Sequence, residues 1–171
     1  MKADISTLLK PDILILRLHL EVHVLDRVES GPKPDLVREL GAKYHTGTVR
    51  SVGFEPDVIM ECTGVGAVVA DSVQAVASGG VICLTGVGSG AWTAGLAAAE
   101  IAAQLVLKNN VIVGSVNANK RHWFKAIEAL SRADRSWLGR LVTRRERPDN
   151  FAQALERKPE DIKVVIQFAE A

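Results

Sequence analysis

Period-two alternation of apolar and polar residues dominates the first readable part of the chain. Glu21 to Asp26 (EVHVLD) alternates and ends on an acid, which predicts a strand. The same alternation reaches back through Leu16, Leu18 and Leu20, interleaved with Arg17 and His19. Ser30, Gly31, Pro32 and Pro34 mark a turn. Asp35 to Leu40 (DLVREL) then reads as a helix stopped by Gly41. Ala42 to His45 is a short strand candidate, and Asp57 to Glu61 (DVIME), behind Pro56, is a short buried strand. Val65, Val68, Val69, Val73 and Val76 share one helical face up to Gly79-Gly80, and Val81 to Thr85 (VICLT) is the next strand. Leu96 to Lys108 predicts an alanine-rich helix and Asn110 to Val116 (NVIVGSV) a strand. Trp123, Ala126, Ile127 and Leu130 mark a further helix face. Leu138 to Thr143 fits either element. Phe151 to Glu156 predicts a short helix and Lys163 to Phe168 (KVVIQF) a closing strand.

Strands alternating with helical segments at this spacing imply right-handed crossovers. The expected class is α/β: a doubly wound, mostly parallel sheet with helices on both faces. In such sheets ligands bind at the carboxyl ends of the strands. That rule singles out Asp26, Thr63-Gly64 and Thr85-Gly86-Val87.

Composition narrows the function classes. The 171 residues suit about one domain. With 47% hydrophobic and 24% charged residues, neither a disordered nor a fibrous chain is expected. Twenty-one Lys plus Arg against 20 Asp plus Glu leave a net charge of +1, so bulk charge gives no support to nucleic-acid binding. Lys120 to Arg147 carries nine Lys and Arg against three acids, but aromatic interleaving is sparse and a solvated basic face is the favoured reading. Two cysteines, Cys62 and Cys83, rule out a disulfide scaffold and point to a reducing compartment. The four histidines lack metal-ligand spacing, so no metal site is expected. No run is long enough for a membrane span, and Asp12, Arg17 and His19 interrupt the apolar patch near the start. A cytoplasmic protein without a membrane partner is the expectation.

Each strand end carries a candidate role beside a plainer one. Asp26 suits a ribose diol, as the acid that follows the first β-α unit of a dinucleotide fold does, or it simply caps a turn. Arg27 suits adenine or a 2′-phosphate, or is a solvated charge. Gly64 allows close backbone approach to a ligand and the Thr63 hydroxyl can donate or accept, though a bare strand-to-helix turn needs the same residues. Thr85-Gly86-Val87-Gly88-Ser89-Gly90 resembles an anion-cradling loop without the GxxxxGK[ST] pattern, and a mobile loop is the alternative. Cys62 reads as a core thiol rather than a nucleophile. Asn117 and Asn119 are candidate caps for the following helix, and Asn117 also suits a ligand at the strand end.

Three runs taken together carry a resemblance: EVHVLDRVESGPKPDLVRELGAKYHTG, FEPDVIMECTGVGAVVADSVQAVASGGVICLTGVGSG and NNVIVGSVNANKRHW. They resemble the C-terminal NAD(P)-binding domain of medium-chain, zinc-type dehydrogenases, in the glucose 1-dehydrogenase branch. The resemblance runs from about Leu14 to the C-terminus. It implies a Rossmann-like fold, NAD or NADP as cofactor, and hydride transfer from a sugar hydroxyl. By position, Asp26 would hold the adenosine ribose, Arg27 would lie near its 2′ position and Lys33 would reach the same ribose. Thr63, Gly64 and Val65 would line the cofactor crevice. Thr85, Gly86 and Val87 would set backbone against the nicotinamide, with Asn117 near the nicotinamide and the sugar. The strand Val111 to Val116 resembles the edge through which such enzymes pair, implying a homo-oligomer.

The departures shape the expectation as much. No GroES-like catalytic domain with zinc ligands is encoded, so zinc is expected only in that missing part. The usual first strand and its GxGxxG loop are replaced by Thr7 to Ile13 (TLLKPDI), which removes a pyrophosphate seat. Residues 1–20 are therefore expected as an atypical segment and 21–171 as the cofactor-binding domain. In the family sheet the missing strand lies between those ending at Asp26 and Glu61. Its loss would leave two unpaired edges. The expected protein is an N-terminally truncated sugar-dehydrogenase domain with little or no catalysis alone, its crevice bridged by one extended dinucleotide. The competing expectations are a non-catalytic nucleotide-binding or oligomerisation module and, with a poorer fit at GSVN, a methyltransferase-like fold.

Overall fold

The computed structural model describes residues 20–88, 98–156 and 158–169. In chain order the elements are β1 (His23–Leu25), α1 (Pro32–Glu39), β2 (Lys43–His45), β3 (Val58–Glu61), α2 (Gly66–Ala75), β4 (Val81–Leu84) and α3 (Ala98–Lys108). There follow β5 (Val111–Gly114), α4 (Lys120–Arg132), α5 (Arg135–Arg140), β6 (Val142–Glu146), α6 (Phe151–Leu155) and β7 (Lys163–Ile166). Every strand pair is parallel: β1 with β2, β3-β4-β5 in one sheet, and β6 with β7. The α/β class with parallel sheets and crossover helices is thus as the alternation predicts. Leu138 to Thr143, open from sequence, divides between the end of α5 and the start of β6.

The chain divides into two compact units, one of Gly47–Asn117 and one of Met1–Thr46 with Ala118–Ala171. In the first, β3, β4 and β5 carry apolar side chains toward α2, and Val73, Val76 and Ile82 form the buried cluster, backed by Ile59, Leu84, Ile101 and Ile112. Val76 and Ile82 are fully buried. Burial of each such side chain contributes about 1.5–3 kcal/mol. The turn out of α2 is stapled to the end of α3: Lys108 Nζ donates to the Val76 carbonyl at 3.0 Å and Asn110 Nδ2 to that of Ala77 at 2.6 Å. Among the described residues nothing pairs with the outer edge of β3, where Val58 and Met60 are exposed. β1 and β3 belong to separate sheets, and the segment expected to replace the first strand lies outside the described residues.

In the second unit, Pro32 starts α1 with its fixed φ, and Gly41 at φ +80° follows its end. Pro34 and Leu36 are the buried residues of this helix. Arg144 organises the β6-β7 pair. Its guanidinium bonds Asp161 through two nitrogens, at 2.8 and 3.2 Å, and reaches Glu146 and the carbonyls of Gln153 and Glu156.

Candidate functional site

β1 delivers Asp26 to its carboxyl end. The Asp26 amide donates to the His45 carbonyl at 3.2 Å, which continues the β1-β2 ladder and fixes the backbone there. The carboxylate turns back: Oδ1 accepts from the Arg27 amide at 2.6 Å, while Oδ2 lies 3.6 Å from Lys33 Nζ. The Lys33 side chain is 17% exposed and that of Asp26 36%, so a largely shielded ammonium faces an acid with an oxygen toward solvent. The Arg27 side chain is exposed. A cavity of about 610 Å³ opens beside this pair, with Val24, Leu36, Val37 and Leu40 on its apolar wall and Asp26, Lys33 and Tyr44 on its polar one. Tyr44 donates its hydroxyl to the Val28 carbonyl at 2.5 Å, and burial, with Asp26 adding to it, pushes its phenol above the ordinary tyrosine range.

The other candidate loops meet in the Gly47–Asn117 unit, at the carboxyl ends of β3 and β4. Gly64, at φ +68°, lies against the Val87-Gly88 backbone. A Cβ on Gly64 would fall 2.3 Å from the Gly88 nitrogen. A Cβ on Gly86 would fall 2.2 Å from the Gly64 nitrogen, and one on Gly88 2.3 Å from the Gly64 oxygen. These glycines hold two strand-end loops in backbone-to-backbone contact. The approach expected of Gly64 was to a ligand; the one seen is between two pieces of this chain. Ser89 and Gly90, the rest of the glycine loop, lie outside the described residues. Val65 and Val87 stay exposed, at 52% and 84%.

Glu61 is the residue sequence reasoning passed over. It is 2% exposed. Its Oε1 accepts from the Thr63 amide at 2.7 Å, the Thr63 hydroxyl at 2.5 Å and the Gly64 amide at 3.2 Å. Oε2 accepts from Gly64 at 3.0 Å. Its carbonyl accepts from the amides of Thr85 at 2.8 Å and Gly86 at 3.1 Å and from the Thr85 hydroxyl at 3.0 Å. The Thr63 hydroxyl also accepts from the Val65 amide at 3.1 Å, so it closes the turn into α2. The available signal was an acid closing an otherwise apolar strand directly before Cys-Thr-Gly. Cys62 accepts a contact from the Thr85 hydroxyl at 3.2 Å and is exposed, so the core-thiol expectation does not hold.

The structure therefore brings Asp26 and Lys33 together in one unit, and Thr63, Gly64, Thr85, Gly86 and Val87 together in the other. Asn117 follows β5 with φ +62°, exposed. Asn119 is the residue that caps α4, accepting from the His122 amide at 3.0 Å. In the first unit named, the partly exposed Asp26 carboxylate stands beside an apolar cavity wall, a donor-and-acceptor set that fits an adenosine. Among the described residues no group of three or more His, Cys, Asp or Glu is placed to hold a metal ion, and no helix is long and apolar enough to cross a membrane.

The profile of the family described as glucose dehydrogenase C-terminus matches residues 7–168. Glucose 1-dehydrogenase 2 of Vulcanisaeta moutnovskia is 36% identical over 143 residues, 81% of this chain and 40% of the relative. Glucose 1-dehydrogenase 1 of Caldivirga maquilingensis is 33% identical over 163 residues, 91% of this chain and 46% of the relative. The crystal structure of Haloferax mediterranei glucose dehydrogenase in complex with NADP, Zn and gluconolactone superposes with a TM-score of 0.78 at 30% identity, covering 88% of this chain and 44% of that one. The fold is accordingly a Rossmann-type dehydrogenase fold, and the chain spans less than half the length of these relatives. By the match across nearly its whole length, the chain belongs to the glucose dehydrogenase C-terminus family.

Proposed function

We propose that this chain is the NAD(P)-binding part of a glucose or related sugar 1-dehydrogenase. The observation that carries the reading is the Asp26 carboxylate at the carboxyl end of β1, beside the Lys33 ammonium and an apolar cavity, in a chain of this family. Asp26 accepts hydrogen bonds from the ribose diol of the adenosine half, and Lys33 donates to the same ribose. An acid at that place favours NAD, and the exposed Arg27 beside it leaves room for a 2′-phosphate. Thr63, Gly64 and Val65 line the crevice. Thr85, Gly86 and Val87 set their backbone against the nicotinamide, with Asn117 near the nicotinamide and the sugar. The bound cofactor supplies the acceptor for hydride leaving the sugar carbon, and zinc belongs to a catalytic part beyond this segment. Catalysis by this chain alone is weak or nil. Its compartment is the cytoplasm, where two free cysteines stay reduced.

Titration calorimetry of the 171-residue chain with NAD+ and NADP+ tests the reading. Micromolar to millimolar binding that Asp26→Ala weakens supports it, and no binding of either cofactor sinks it. Sugar-dependent cofactor reduction by the isolated chain would overturn the statement that catalysis is weak alone.

A second reading, an oligomerisation or nucleotide-binding module without catalysis, is favoured by the exposed Val111 and Val113 on β5, the outer strand of its sheet among the described residues. Copies would pair along the Val111 to Val116 edge. Light scattering would show a dimer that Val113→Lys converts to monomer.

A further inference from the structure

Glu61 is a buried acid at the carboxyl end of β3, and it holds both candidate loops at once. Its carboxylate gathers Thr63 and Gly64, and its carbonyl gathers Thr85 and Gly86. Both carboxylate oxygens accept, and every donor named is a neutral N–H or O–H. Neutral donors satisfy the oxygens without cancelling their charge. An ionised Glu61 carboxylate places a negative charge within hydrogen-bond distance of the Thr63-Gly64 turn, which packs against Gly86. A Cβ on Gly86 would sit 2.6 Å from the Thr63 nitrogen, which itself donates to Glu61.

The oxidised nicotinamide ring carries a positive charge and the reduced ring none. The two redox forms of the cofactor are otherwise nearly alike in shape. We propose that Glu61 is a positioning residue for the crevice and that its charge makes the crevice favour the oxidised over the reduced nicotinamide. This rests on the reading that the nicotinamide lies against Thr85–Val87. Attraction between a carboxylate and the ring charge across a partly screened site corresponds to roughly a 3- to 15-fold change in relative affinity. The energy acts on the ring charge alone, so it appears in the ratio of two dissociation constants rather than in either one.

The test measures binding of NAD+ and NADH to the 171-residue chain and its variants. Glu61→Gln keeps the side-chain length and removes the charge, while Glu61→Asp keeps the charge and shortens the reach. Circular dichroism and thermal unfolding check that each variant folds. The expected result is that Glu61→Gln loses NAD+ affinity about 3- to 15-fold more than NADH affinity, while Glu61→Asp weakens both forms but leaves their ratio near that of the wild type. A merely structural role for Glu61 weakens both forms equally in Glu61→Gln, and that outcome overturns the inference. Should Glu61→Gln not fold, Thr63→Val removes one neutral donor and leaves the charge. The preference for the oxidised form then holds or grows, and its disappearance overturns the inference. Wild-type chain that binds neither redox form overturns the cofactor reading, and this inference with it. Wild-type binding with an unchanged ratio in Glu61→Gln overturns this inference alone.

Discussion

Asp26 follows β1 and Glu61 closes β3, so each acid stands at the carboxyl end of a parallel strand. The Asp26 side chain is 36% exposed, with one oxygen on a single amide and the other 3.6 Å from an ammonium. Glu61 is 2% exposed, and both of its oxygens are taken by the turn that follows. The first acid has hydrogen-bonding capacity left for something outside the chain, and the second has spent its own on the chain. Position at a strand end therefore does not decide whether an acid meets a ligand. The number of donors the next turn aims at it does. β1 is followed by Arg27 and a bend, which supplies one amide. β3 is followed by Cys-Thr-Gly, which supplies two amides and a hydroxyl.

The sharpest way to break this comparison is through the glycines that let the turn after β3 close. Gly64→Ala places a Cβ 2.3 Å from the Gly88 nitrogen at φ +68°, whereas Gly53→Ala, at φ +86°, meets nothing within 4 Å. Gly53→Ala is expected to cost about 1 kcal/mol, the strain of the left-handed backbone. Gly64→Ala adds a backbone overlap that no side-chain rotation relieves. It is expected to cost more than about 3 kcal/mol and to abolish cofactor binding. Thermal unfolding and calorimetry of the two variants decide it. Equal losses would mean that the loops are not in contact.

The next effect separates the two acids directly. Asp26→Ala is expected to weaken dinucleotide binding at least about tenfold, the loss of one charge-assisted hydrogen bond, with stability within about 0.5 kcal/mol of wild type. Glu61→Ala leaves the Thr63 and Gly64 amides without their buried acceptor, at about 1–3 kcal/mol each, and so loses stability as well as binding. A stable, non-binding Glu61→Ala would reverse the assignment of the two roles.

Asp161 offers a third environment, an acid gripped by two nitrogens of one guanidinium. The hydrogen bond from Arg144 is the main reason that its carboxyl is held below the ordinary carboxylate range. A group whose folded value is depressed contributes stability above its unfolded value and loses it as the pH falls through the folded one. Urea unfolding at a series of pH values should thus show stability falling from about pH 4 downwards, with Asp161→Asn flattening that decline. Arg144→Lys should not rescue the β6-β7 pair, since one ammonium cannot reproduce the two-nitrogen grip on Asp161 together with contacts to Glu146, Gln153 and Glu156.

What the sequence made legible follows the range of the interactions. β3, β4 and β5 were readable because Val-Ile-Met, Val-Ile-Cys-Leu and Val-Ile-Val are short apolar runs bounded by glycine or proline. Asp26 was readable because it breaks off an alternation. β6 was not, because Val142–Glu146 carries Thr and two Arg, and its polar side chains are held by partners on α6 and the loop before β7. The mutual packing of Gly64 with Gly86 and Gly88 joins residues more than twenty positions apart, so each glycine alone read as a loop. Glu61 was hidden for the opposite reason: its bonds are local, but a lone acid in an apolar strand gives no sign of which donors turn toward it.

The smallest expected effect reads the charge of Asp26 without any ligand. Tyr44 is the only tyrosine of the chain, so the alkaline rise of tyrosinate absorbance reports this one group. Burial is the larger cause of its raised pKa and the Asp26 charge the second, while Arg38, 5.7 Å from the ring centre, pulls the other way. The midpoint in the wild type is therefore expected above the ordinary tyrosine value of about 10. Asp26→Asn removes the second cause and leaves the first, so the midpoint should move down yet stay above that value. Glu61→Gln should not move it, because Glu61 is not among the groups acting on Tyr44. A midpoint indifferent to Asp26→Asn would mean that water already screens this carboxylate completely. The ion pair with Lys33 would then be too open to orient a ribose, and the contrast between the two strand ends would rest on Glu61 alone.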